Sequence, residues 1–189
     1  MKNDGISQSF SELKSIEIGN ECFQHVREFV IDGLERLESV KIGEDCFRID
    51  YEERDDGVCR ITNCPNLRQL EIGNHSFEDF RSFELSNVNS LQSIEFGEFC
   101  FKYVREFVID GLESLESVKI GKYCFRIGKE ERDDGVCRIT NCPNLRQLEI
   151  GYESFEDFKS LEISNVNSLQ SIEFGRGCFE DADFSLKGE

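Results

Sequence analysis

The residues most able to do chemistry in this chain are its nine cysteines, and their spacing says which chemistry is open to them. Cys59 and Cys64, repeated as Cys137 and Cys142, form C-x4-C pairs that a metal ion could use. No histidine accompanies either pair, and the spacing is not that of a structural zinc site. Cys59 stands where another repeat places Phe29, and Cys64 where it places Leu34, so both read as core thiols. His25 and His75, the only histidines, lie in different repeats, and their counterparts further along are Tyr103 and Glu153. No Ser-His-Asp or Cys-His set recurs, so the chain is expected to be non-catalytic, with no cofactor and no bound metal. The acidic insertion Ile49–Gly57, which returns as Ile127–Gly135, could hold calcium, but it lacks the alternating ligand spacing of a calcium loop and reads as a solvated bulge.

What positions these residues is a repeat. The pattern L-x-x-[ILV]-x-[IF]-G-x-x-[CS]-F occurs seven times, beginning at Leu13, Leu37, Leu67, Leu91, Leu115, Leu145 and Leu169. Successive motif glycines (Gly19, Gly43, Gly73, Gly97, Gly121, Gly151, Gly175) are 24, 30, 24, 24, 30 and 24 residues apart. Each unit is therefore a coil of 24 residues, and a six-residue insertion in every third coil makes a super-repeat of 78. Fixed periods of this size mean a solenoid. Within a unit, Leu13, Ile16 and Ile18 alternate with polar residues, the period of a half-buried strand. The glycine that follows is expected to serve a positive φ or a close backbone approach. Phe23, Phe47, Phe77, Phe101, Phe125, Phe155 and Phe179 should then stack as a buried spine.

A second strand follows on the opposite side. Phe29 and Ile31 have equivalents Cys59 and Ile61, Phe83 and Leu85, and Phe107 and Ile109, with a residue between them that can be polar. That is period two, not 3.6, and it argues against a convex helix there. The next corner carries Gly33, Asn63, Asn87, Gly111, Asn141 and Asn165 at one register, the signature of a left-handed backbone. The fold expected is thus a mostly β, right-handed solenoid of about seven coils with parallel strands on both broad sides. It should occupy residues 10–180 as one domain, between a polar tail or partial coil at 1–9 and a polar tail at 181–189.

This pattern resembles the leucine-rich repeat superfamily: L-x-x-[ILV]-x-[IF] is similar to its parallel-strand segment, and Asn63-Cys64-Pro65-Asn66-Leu67 to the corner of its cysteine-containing members. The continuation G-x-x-[CS]-F, with a strand in place of a helix, is most similar to BspA-like repeat proteins. The usual asparagine after the strand is missing, and glycine stands near its place. The resemblance implies a protein-binding or surface-recognition scaffold.

A net charge of −17 disfavours nucleic acid and an anionic membrane leaflet as partners. No apolar run approaches the roughly 20 residues of a membrane span. Met1-Lys2-Asn3-Asp4-Gly5 is not a secretory signal. Free thiols and a cytoplasmic location are expected, or an extracellular one for a chain trimmed of its signal.

The two super-repeats differ at fourteen positions over residues 20–97, and ten of these lie on one edge. The changes bring in Phe99, Lys102, Tyr103, Lys122, Tyr123 and Tyr152, together with Lys129 in the insertion. Aromatic and basic groups on an acidic surface suit a protein-contact patch; neutral drift of a permissive loop edge is the rival reading. The function expected is a non-catalytic protein-interaction scaffold. The alternative is a structural protein that stacks end to end into fibres through its solenoid ends. A calcium- or carbohydrate-binding surface module comes third.

Overall fold

The computed structural model describes residues 10–49, 57–127 and 135–188. Every regular element among them is a strand. The motif strands β1 (Ser15–Ile18), β3 (Ser39–Ile42), β5 (Gln69–Ile72), β7 (Ser93–Phe96), β9 (Ser117–Ile120), β11 (Gln147–Ile150) and β13 (Ser171–Phe174) form one parallel seven-stranded sheet in that order. Pairing is in register, with Ile16 beside Val40 and Glu17 beside Lys41. Residues at the same place in successive repeats therefore become neighbours at strand spacing, roughly 4.8 Å.

The second strands are β2 (Glu28–Asp32), β4 (Val58–Thr62), β6 (Ser82–Ser86), β8 (Glu106–Asp110), β10 (Gly135–Thr140), β12 (Phe158–Ser164) and β14 (Asp183–Lys187). They are also parallel, but they form two sheets, β2-β4-β6 and β8-β10-β12-β14. The inward column of this row reads Phe29, Cys59, Phe83, Phe107, Cys137, Leu161 and Phe184. Large and small residues face each other at every paired junction except Leu161 beside Phe184. Only Phe83 and Phe107 would set two rings side by side, and they stack at 6.1 Å, wider than strand spacing. Phe96 packs edge-on against Phe83 at 5.5 Å, where the equivalent strands β3 and β5 end in isoleucine, so bulk holds β6 and β8 apart.

The core lies between the strand rows. In β3, Val40 and Ile42 are buried and Lys41 is exposed, as the period of two requires. The phenylalanine spine is continuous, with neighbouring centroids 4.6–5.7 Å apart from Phe23 to Phe179. Its interior members are buried, while Phe23 is 54% exposed.

The motif glycine answers to close approach, not to positive φ. A Cβ on Gly73 would lie 2.6 Å from the carbonyl carbon of Gly43. The small Cys or Ser that follows then has a clear role. Cys46 Sγ donates to the Gly19 carbonyl at 3.0 Å, Ser76 Oγ to that of Gly43 at 2.8 Å, and Cys100 Sγ to that of Gly73 at 3.2 Å. Positive φ falls instead on the spine phenylalanines, at 51–57°, and on the second residue after the glycine. At the opposite corner it falls on Gly33, Asn63, Asn87, Gly111, Asn141 and Asn165, as the sequence predicts.

The segment read as a polar tail at 181–189 contains β14, which pairs with β12 from Ser160↔Asp183 to Ser164↔Lys187. Phe184 and Leu186 continue the alternation there, and the flanking aspartates conceal it. The tail expected at 1–9, and the insertion residues 50–56 and 128–134 with Lys129, lie outside the described residues.

Candidate functional site

The edge singled out in the sequence is built on the second residue after each glycine. Glu21, Asp45, His75, Phe99, Tyr123 and Glu153 all hold φ between 51° and 60°. Each of their N–H groups donates to a carbonyl of the next repeat, as Phe99 does to Lys122 at 2.8 Å and Tyr123 to Tyr152 at 3.0 Å. The strained conformation is thereby fixed, and the side chains stand in one row.

The row is a ring stack. His75 lies parallel to Phe99 at 4.7 Å, Phe99 is stacked on Tyr123 at 4.6 Å, and Tyr123 meets Tyr152 edge to face at 5.5 Å. Tyr152 comes one position earlier in its repeat, which turns its ring across the stack. The parallel rings of His75, Phe99 and Tyr123 cover one another's facing sides, which leaves their edges as the rim of the strip. Ring edges carry the positive end of the quadrupole and attract carbonyl and carboxylate oxygens.

Beside the rings runs a polar ladder. Asn20 Oδ1 accepts from Glu44 N at 3.0 Å, and Asn74 Oδ1 accepts from Glu98 N at 2.8 Å. Lys122 closes the ladder on Glu98 at 2.9 Å, and that hydrogen bond raises its pKa above the ordinary lysine value. Arg126 pairs with Glu156 and with Glu153 at 3.4 Å, and its guanidinium carbon lies 5.5 Å from the Tyr123 ring centre. Tyr152 is shifted upward by its hydrogen bond with Glu153.

Lys102 and Tyr103 do not join the ring row. They line an adjoining polar pocket of about 430 Å³ with Gln24, His25, Arg48 and Glu78. Glu78 is its hub, facing Arg48 at 3.8 Å, His75 at 3.6 Å and Lys102 at 3.9 Å. His75, Glu78 and Arg126 therefore belong to the edge as much as the six residues named from sequence. His75 could have been found, since it shares the register of Phe99 and Tyr123.

Other surfaces are more self-contained. On the seven-stranded sheet Lys41 pairs with Glu71 at 3.1 Å, Lys119 with Glu149 at 3.8 Å and Lys14 with Glu38 at 3.7 Å. All nine cysteines are free thiols, and seven of them are buried. Burial pushes Cys142 up to about 11 and Cys59 and Cys137 higher still, so these thiols are poor nucleophiles at neutral pH. Among the described residues no group of three or more His, Cys, Asp or Glu is placed to hold a metal ion, and no helix is long and apolar enough to cross a membrane. No protein-family model, curated protein or solved structure matches the chain.

Proposed function

We propose that this chain is a non-catalytic protein-interaction scaffold that engages a partner along the edge carrying Phe99, Lys102, Tyr103, Lys122, Tyr123 and Tyr152. We take its architecture to be a right-handed, leucine-rich-repeat-type solenoid of about seven coils. The observation that carries the function is the ring strip from His75 to Tyr152, spread over four repeats of an otherwise acidic surface. A strip of aligned anchors with cations beside it gives a partner several contacts in one line, and aromatic anchors typically dominate binding energy.

The test uses the protein's own repeat. Phe99→Glu, Tyr123→Asp and Tyr152→Asn install the residues at positions 21, 45 and 74. The triple variant should melt close to the parent, because those residues already occupy the same backbone sites, and recovery of a bound protein from lysate should fall sharply. Equal recovery by parent and variant removes the edge as the binding surface.

End-to-end self-association is the second reading. Phe10 and Phe23, beside one limit of the strand array, and Phe174, Phe184 and Leu186 at the other are 40–58% exposed. Particle mass that grows with concentration in light scattering would favour it. A constant mass would remove it.

A further inference from the structure

The junction between β6 and β8 is a groove of about 440 Å³. Alternation in a parallel ladder turns the backbone N–H and C=O groups of Phe83 and Leu85 on one bank, and of Glu106, Val108 and Asp110 on the other, toward the gap. These five residues line it together with Glu84. Phe83 and Leu85 are part-exposed there, whereas the equivalent Leu161 and Ile163 are buried in a closed sheet.

Two further features mark the place. Of the four super-repeat differences that do not lie on the ring edge, three fall in or next to β6: Arg81 against Lys159, Phe83 against Leu161, and Leu85 against Ile163. The corner ladder also stops here. Asn63 Nδ2 donates to Asp32 at 2.7 Å and Asn87 Nδ2 to Asn63 at 2.8 Å, and the ladder restarts with Asn141 on Asp110 at 2.7 Å. Gly111 stands where the next amide would be.

The charge of the groove is one-sided. Glu84, Glu106 and Asp110 line it, and no lysine or arginine does. Hydrogen bonds from Thr140 and Asn141 hold Asp110 below the usual carboxylate pKa, so it stays ionised. The molecule shows what this face accepts. Arg60 reaches Glu84 at 2.7 Å and Arg138 reaches Glu162 at 3.3 Å, each lying across to the neighbouring strand. At the same register β8 has Val108, so no arginine stands at that place on its bank.

We propose that this groove receives an arginine side chain from an extended, basic segment of a partner protein. The stem lies on Val108 and against the open edge of β6 at Phe83 and Leu85. The guanidinium donates to the Glu106 carboxylate and to strand carbonyls that face the gap, while Asp110, about 13 Å further along the strand, adds to the negative field. The groove lies apart from the ring edge, so the inference stands or falls separately from the function proposed above.

The probe is the peptide acetyl-Val-Arg-Val-amide, titrated into the intact protein and followed by amide chemical shifts. Saturable shifts should centre on β6 and β8 and should vanish with the citrulline analogue, which keeps the shape and loses the charge. Val108→Arg places an internal side chain where Arg60 and Arg138 already sit on β4 and β10, and should reduce affinity at least tenfold. Phe83→Leu keeps the net charge and restores the pairing seen at Leu161, so slower amide exchange on β8 should accompany lost binding. The edge triple variant should bind the peptide like the parent. Equal binding of the citrulline peptide, shifts centred elsewhere, or undiminished binding to Val108→Arg would each overturn the proposal.

Discussion

At the scale of single residues, stability rests on rings and thiols that sequence order places far apart. Phe101 is fully buried between Phe77 at 5.2 Å and Phe125 at 5.7 Å, and it also touches Phe83 and Phe96. Phe101→Ala should cost about 3–5 kcal/mol in denaturant unfolding, as buried phenylalanine truncations do. A loss below about 1 kcal/mol would contradict the buried spine. Cys142 makes a sharper pH prediction. Its pKa is raised to about 11 by burial, while an unfolded thiol titrates near 8.5. The unfolded state therefore gives up its proton first as pH rises. The stability contributed by this thiol is whole below about pH 8.5 and is lost progressively up to about pH 11. Cys142→Ser should thus be less stable than the parent at neutral pH, by a margin that narrows toward pH 10. A margin independent of pH would show that the thiol does not titrate differently on unfolding.

At the scale of elements, the glycine column sets how closely successive repeats can approach. An added Cβ at Gly73 would meet the Gly43 carbonyl carbon and oxygen at 2.6 and 2.7 Å, and both are backbone atoms that cannot swing away. At Gly19 nothing lies within 4 Å. Gly73→Ala should therefore destabilise by roughly 2–3 kcal/mol, the upper range for overpacking, while Gly19→Ala should be close to neutral. Equal effects in thermal melts would mean that the repeats can separate without cost. The pair is informative because both glycines belong to one motif and both substitutions add the same methyl group.

At the scale of the whole molecule, charge decides the response to salt. The chain carries 39 acidic and 22 basic residues, a large acidic excess, and among the described residues most lysines and arginines already face a carboxylate. The cross-strand pairs such as Lys119–Glu149 are exposed, and pairs of that kind contribute about 0–1 kcal/mol each. Screening removes part of that, but it also relieves the repulsion among the unpaired carboxylates, which acts across the whole sheet. The second effect should win. The melting temperature should rise as sodium chloride goes from about 0.02 M to about 0.5 M, where the Debye length shortens from roughly 20 Å to a few ångströms. A falling melting temperature would show that the ladders dominate.

The sequence by itself determined the strands, their period, the ring spine and the left-handed corners, because each depends only on which residue types recur at which interval. It also placed Phe99 and Tyr123 at one register, so the strip was legible wherever a motif position repeats. Residues that act singly were not. Glu78 became the hub of three basic neighbours only when folding set Arg48, His75 and Lys102 around it. The reason for the glycine was open in the sequence between positive φ and close approach, and only the distance to the preceding repeat chose. β14 was hidden because its alternation is short and lies among charged residues. The split in the second strand row was decided by tertiary structure alone, since Phe83, Phe96 and Phe107 are each ordinary inward residues of their own strands. Their combined volume matters only once in-register stacking brings the three rings to one place.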